Sequence, residues 1–141
     1  MISYLQMDTP RPKAAGKPPI LIGRSDYDRL HAIAVLAMVR APREAGGLLD
    51  ELSRADVRED SAAPPDAAGL GALVTFRDLA NLEDRNIRLV GEDTGEAGDV
   101  PVLSPLGSAL VGLTPGQSIH WPDRRGGSRR LFVVAVHRPK V

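Results

Sequence analysis

The sequence predicts an α+β fold: a short antiparallel helical hairpin, then a small antiparallel sheet with one helix packed on it. Three observations predict it. Apolar residues recur at helical spacing from Tyr27 through Ala55. Beyond a Pro- and Ala-rich stretch the pattern changes to alternation, as in Leu73-Val74-Thr75-Phe76-Arg77-Asp78. Within the alternating part, Ser104-Pro105 and Gly112 bracket a single short helix.

Residues 1–19 are expected to be a disordered leader, because they combine Arg11, Lys13 and Lys17 with four prolines and lack the apolar run of a signal peptide. Residues 20–60 read as the hairpin. Ser25-Asp26-Tyr27-Asp28 is the expected start of its first helix, with Ser or Asp side chains capping the free amides. Tyr27, Leu30, Ile33, Ala34 and Ala37 mark one face. The run from Ala32 to Val39 is apolar nearly all round, which predicts cover on more than one side. The reversal is expected across Arg40 to Gly47, where Pro42 and the Gly46-Gly47 pair break the helix. Leu48, Leu49, Leu52 and Ala55 mark the second helix. Arms of about 10–16 residues reach only roughly 15–24 Å at 1.5 Å per residue.

Residues 61–69 read as a linker and residues 70–141 as the sheet domain. Strands are expected at 73–78, 86–91, 100–103, 117–121 and 130–137, with Pro101 marking an edge. Residues 92–99 form an acidic turn.

Composition excludes several function classes. With no cysteine there are no disulfides and no thiolate metal sites, and a cytoplasmic location is expected. No apolar run is long enough to span a membrane as a helix. Net charge is zero but unevenly spread. Residues 61–103 hold three basic and eight acidic side chains, and residues 104–141 hold six and one. Such a distribution suits docking on a large charged partner, and equally describes a solvated surface.

The run Val102-Leu103-Ser104-Pro105-Leu106-Gly107-Ser108-Ala109-Leu110-Val111-Gly112-Leu113, followed by Pro115-Gly116-Gln117-Ser118-Ile119-His120-Trp121, resembles the signature of the GreA/GreB C-terminal domain. The Ser-Ile-His-Trp ending resembles the Rnk branch, and Val74 to Leu79 resembles that family's first domain strand. The resemblance spans residues 18–139. It implies an FK506-binding-protein-like domain docked at the secondary channel of RNA polymerase, with the hairpin directed toward the channel. In the cleavage factors of this family, acidic residues at the hairpin tip help hold a catalytic metal of the polymerase. Here Glu44 is the single acid between Arg40 and Gly47, flanked by Arg40 and Arg43. The expectation is therefore a regulator that binds polymerase without stimulating transcript cleavage, not an enzyme, with no cofactor, no metal and no small-molecule substrate.

The candidate partner-binding residues are Arg40, Arg43 and Glu44 at the tip, and Ser104, Pro105, Leu106 and Gly107 in the signature. The last four serve equally well as architecture. Trp121 reads as an interface anchor or a part of the core. Arg124, Arg125, Arg129 and Arg130 form a basic cluster suited to an acidic protein surface or to non-specific DNA contact. It lacks the interleaved aromatics of a single-strand binder. His31, His120 and His137 have no metal-ligand spacing. Two rival readings stay open: a peptidyl-prolyl isomerase, for which Phe76, Trp121 and Phe132 are few aromatics, and an interaction module for another protein such as nucleoside diphosphate kinase.

Overall fold

The computed structural model describes residues 18–122 and 128–139, with only the backbone at Trp121 and Pro122. The expected leader up to Lys17, and Arg124, Arg125 and Lys140, lie outside the described residues. A short strand β1 (Leu21–Gly23) runs into α1 (Arg24–Ala37). A turn leads to α2 (Pro42–Ser53), then β2 (Asp56–Arg58) and a 3-10 turn (Asp60–Ala62). The rest comprises β3 (Leu73–Asp78), β4 (Glu83–Val90), β5 (Asp99–Pro101), α3 (Pro105–Leu110), β6 (Ser118–Pro122) and β7 (Ser128–His137).

The hairpin forms, but its ends differ from expectation. Gly23, not Ser25 or Asp26, occupies the cap position of α1, and it has no side chain to give. Asp60 caps the helix from 35 residues away: Ser25 N donates to its Oδ1 at 2.9 Å, and Ser25 Oγ donates to Oδ2. Gly23 is what lets Asp60 approach, since a Cβ there would lie 2.8 Å from Asp60 Oδ1. The reversal is confined to the residues just before Pro42. That proline takes the first turn of α2, where its missing N–H costs nothing, and Gly46 and Gly47 lie inside the helix. Arg43 and Glu44 are thus first-turn helical residues. The inner faces bury Leu30, Ala34 and Ala37 from α1, and Ala45, Leu48 and Leu52 from α2. Among the described residues nothing covers the other side of α1, contrary to expectation: Val35 and Leu36 are exposed, as are Met38 and Val39 in the turn that follows.

β1 and β2 pair in parallel, Leu21 opposite Asp56 through Gly23 opposite Arg58, and close the base of the hairpin. Strands this short carry no period to read. The five-stranded sheet has the order β5-β4-β3-β7-β6. Its β4–β3, β3–β7 and β7–β6 pairs are antiparallel, and β5 runs parallel to β4. The expectation of a wholly antiparallel sheet is corrected there. Because β5 is only three residues long, the loop 91–98 need carry the chain back only about 10 Å along β4. Asp99 then locks the register, accepting from Arg88 Nη2 at 3.0 Å and from Thr94 Oγ1 at 2.7 Å. Pro101 sits on the edge, as expected.

One face of the sheet is packed. Val74, Phe76, Ile87, Leu89, Leu131 and Val133 join Leu110 of α3 and Leu30, Ala34, Leu48 and Leu52 of the hairpin in a single core. The segment 61–69 is tied to it. Ala67 and Ala68 are buried, Ala68 N donates to Leu113 O at 2.9 Å, and Gly112 N donates to Ala68 O at 2.8 Å. Among the described residues, no helix is long and apolar enough to cross a membrane.

The capping contact makes stability depend on pH. Hydrogen bonds from the Ser25 hydroxyl and amide hold the Asp60 carboxyl below the ordinary aspartate value, and Arg77 and Arg88 do the same for Asp84 and Asp99. A carboxyl depressed in the folded state contributes stability that is present above its unfolded pKa, about 3.9, and lost as pH falls through the folded value. Urea midpoints should therefore fall below about pH 4. Asp60→Asn should shallow that fall, and an unchanged slope would show that the cap contributes nothing.

Candidate functional site

The signature forms a tight strand-to-helix corner. After β5, Ser104 turns the chain. Its Oγ accepts from Gly107 N at 3.0 Å and donates to Pro101 O at 2.7 Å, so one hydroxyl joins the helix start to the strand end. Pro105 occupies the first helical turn. Gly107 is packed on the strand so closely that a Cβ would lie 2.0 Å from Pro101 O. Gly112 has φ +80° and presses on Ile20. Of the four signature candidates, Ser104 and Gly107 build the corner, Leu106 packs against the core, and Pro105 is exposed.

The hairpin lies against this corner. Its turn and the first turn of α2 contribute Arg40, Ala41 and Glu44 to a groove of about 660 Å³. The corner contributes Pro101, Leu103, Ser104 and Pro105, and the acidic loop contributes Gly91, Glu92 and Asp93. Farther along α1, a Cβ on Gly91 would lie 3.4 Å from Ile33 Cδ1, so the arm runs along the sheet domain. The groove combines an apolar wall of Pro101, Leu103 and Pro105 with one guanidinium and three carboxylates. Among the described residues, no group of three or more His, Asp or Glu is arranged to hold a metal ion.

Residues 60 to 65 positions apart in sequence are thus brought together: Arg40 and Glu44 with Ser104 and Pro105. Arg43 is exposed and does not line the groove. Glu92 and Asp93 are groove residues that sequence reasoning placed only in an acidic turn. No local signal marks a loop residue that meets a distant helix.

Of the basic cluster, Arg129 and Arg130 lie elsewhere, on β7, three places from β5 in the sheet. Arg129 Nη1 lies 3.2 Å from Oδ2 of the buried Asp78. The other carboxylate oxygen, Oδ1, accepts from Ala80 N at 2.9 Å in the β3–β4 turn. Arg129 is therefore engaged within the fold. Arg130 Nε donates to Ser118 Oγ at 3.3 Å across β6 and β7. Arg124, Arg125 and the Trp121 side chain lie outside the described residues. His31 stacks on Tyr27 at 5.7 Å, while His120 and His137 are exposed on separate strands.

The family model described as "Transcription elongation factor, GreA/GreB, C-term" matches residues 63–138, and "Rnk N-terminus" matches residues 18–57. The chain belongs to the GreA/GreB family. The Regulator of nucleoside diphosphate kinase of Escherichia coli K12 is 32% identical over 122 residues, covering 85% of this chain and 90% of that relative. Transcription elongation factor GreA of Azorhizobium caulinodans is 33% identical over 114 residues, covering 79% of this chain and 71% of its own length. The solved GreA/GreB structure from Nitrosomonas europaea superposes with a TM-score of 0.64 at 33% identity, over 85% of this chain and 98% of that one. The Rnk N-terminus match runs from just before β1 to Val57 in β2. It therefore takes in the parallel pair that closes the hairpin. The GreA/GreB C-term match holds the whole five-stranded sheet and the Ser104 corner.

Proposed function

We propose that the chain is a transcription regulator that binds RNA polymerase at the secondary channel and acts there by occupancy, without chemistry of its own. The observation that carries the reading is the shared groove. The hairpin tip and the Ser104-Pro105 corner form one surface, with Arg40, Glu44 and the exposed Pro105 facing a partner together. The resemblance to the cleavage factors supplies the partner. The arm argues for occupancy over chemistry. α1 has 14 residues, about 21 Å of helix, and it is laid along the sheet domain to its tip. A single tip acid, Glu44, beside Arg40 is a poor metal ligand set.

The isomerase reading has little support. Phe76 is buried in the core, and among the described residues no aromatic side chain lines the groove. A direct contact with nucleoside diphosphate kinase is suggested by the name of the Escherichia coli relative, and non-specific DNA contact by the exposed Arg130.

The test is co-purification with core polymerase, with GreA as competitor. Binding should be displaced by GreA, and Pro105→Ala with Arg40→Ala should weaken it about tenfold, the loss of about 1.4 kcal/mol expected for a pair of central contacts. Backtracked complexes should show no added cleavage. Robust cleavage, or retention on the kinase but not on polymerase, would overturn the proposal.

A further inference from the structure

The outer side of α1 and the turn that follows it carry an apolar stripe with no neighbour among the described residues. Leu36 is 78% exposed and Val39 94% exposed, with Val35 and Met38 beside them. Ala32, Val35 and Leu36 in α1, and Val39 in the turn just past its end, fall at i, i+3, i+4 and i+7, the spacing of a seam between packed helices. The opposite face, Leu30, Ala34 and Ala37, is already buried in the core. The stripe is therefore a second seam, separate from the one that holds the hairpin. Scattered surface apolar residues need no explanation, but a contiguous row at this spacing does.

We propose that a second copy of this chain packs its own α1 on the stripe, antiparallel. The charges at the two ends select both occupant and direction. Asp28 extends the stripe one turn toward the N-terminus and is exposed, held only by a 3.9 Å contact with Arg24. Arg40 and Arg43 lie just past its other end, both exposed. Antiparallel copies set each Asp28 near the basic tip of the other. Parallel copies would set like charges against each other. The helix dipoles agree. The last turn of α1 has no basic residue, and the antiparallel arrangement brings Arg24 of the other copy to that negative end. A purely acidic helix from an unrelated partner would satisfy the tip but would face Asp28 with its own sign. A two-fold axis across the stripe is self-complementary and closes at two copies. This inference does not depend on polymerase binding.

Sedimentation equilibrium of the full chain tests it. The mass should rise with concentration from the monomer toward twice that value, and the double substitution L36E/V39E should abolish the rise. Both side chains are exposed, so the circular dichroism spectrum and melting temperature should stay unchanged, which separates lost association from lost folding. Asp28→Arg should weaken association several-fold, and adding Arg40→Asp and Arg43→Asp should restore it. A monomer mass at the highest concentration reached overturns the proposal, as does a dimer that survives L36E/V39E. If the chain stays monomeric while L36E/V39E loses core polymerase, the stripe belongs to polymerase and self-association is equally overturned.

Discussion

Gly107→Ala should cost the fold about 3 kcal/mol, at the upper end for forcing one extra carbon into a packed site. The added Cβ would lie 2.0 Å from Pro101 O and 2.8 Å from Pro101 C. Those are backbone atoms, so no side-chain rotation relieves the clash. Either α3 lifts from β5 or the strand end moves. Both movements break the Ser104 hydroxyl bridge, which spans the same two segments. Urea unfolding reads the loss directly. Gly46→Ala is the matched control. It lies inside α2, a Cβ there meets nothing within 4 Å, and replacing a helical glycine should stabilise by about 0.5–1 kcal/mol. A Gly107→Ala variant within about 1 kcal/mol of the parent would show that the corner is not rigid. The result also bears on function. If Gly107 is architecture, its variants should lose polymerase only in proportion to lost folding, whereas Pro105→Ala should lose binding at full stability.

The parts legible in the sequence share a property: their signal is local. The start of α3 needs only the adjacent Ser104 and Pro105, and it formed as read. β3 alternates over six residues, and its bounds match the expectation at both ends. The missed features join residues far apart or too few to show a period. Asp60 caps α1 from another element: of the local candidates, Ser25 donates to Asp60 and Asp26 pairs with Arg29 and Arg138. The direction of β5 depends on a loop that closes only because the strand has three residues. Gly46 and Gly47 read as a reversal by composition, but Pro42 starts α2 before them, and an uncrowded helical glycine leaves no mark in sequence. The candidate site divides the same way. Arg40, Glu44, Ser104 and Pro105 were each nameable, but their meeting in one groove with Glu92 and Asp93 follows from tertiary packing alone.

Asp26→Ala should be about as damaging, near 3 kcal/mol, for an electrostatic reason. Asp26 is only 5% exposed. Its Oδ1 lies 2.7 Å from Arg29 Nη2, and its Oδ2 lies 2.6 Å from Arg138 Nη2. Arg138 Nη1 also donates to Ala67 O at 3.4 Å, and a Cβ on Gly69 would lie 2.5 Å from Asp26 Oδ2. One carboxylate therefore holds the first turns of α1, the segment at 67–69 and the chain leaving β7. Removing it leaves the Arg138 guanidinium, 29% exposed, without its direct ion-pair partner, and only the longer-range attraction of Asp60 remains. Arg29 is 61% exposed, so Arg29→Ala should cost only about 0.5 kcal/mol. The double variant Asp26→Ala with Arg138→Ala should cost little more than Asp26→Ala alone, because the two act as a pair. A loss below about 1 kcal/mol for Asp26→Ala would sink this account. The consequence reaches the groove. Asp26 pins α1 at the end opposite the tip, and a helix of about 21 Å turns a small rotation at its base into a larger shift of Arg40. Asp26→Ala, assayed at a temperature where it remains folded, should therefore bind core polymerase more weakly than the parent although Asp26 lies outside the groove.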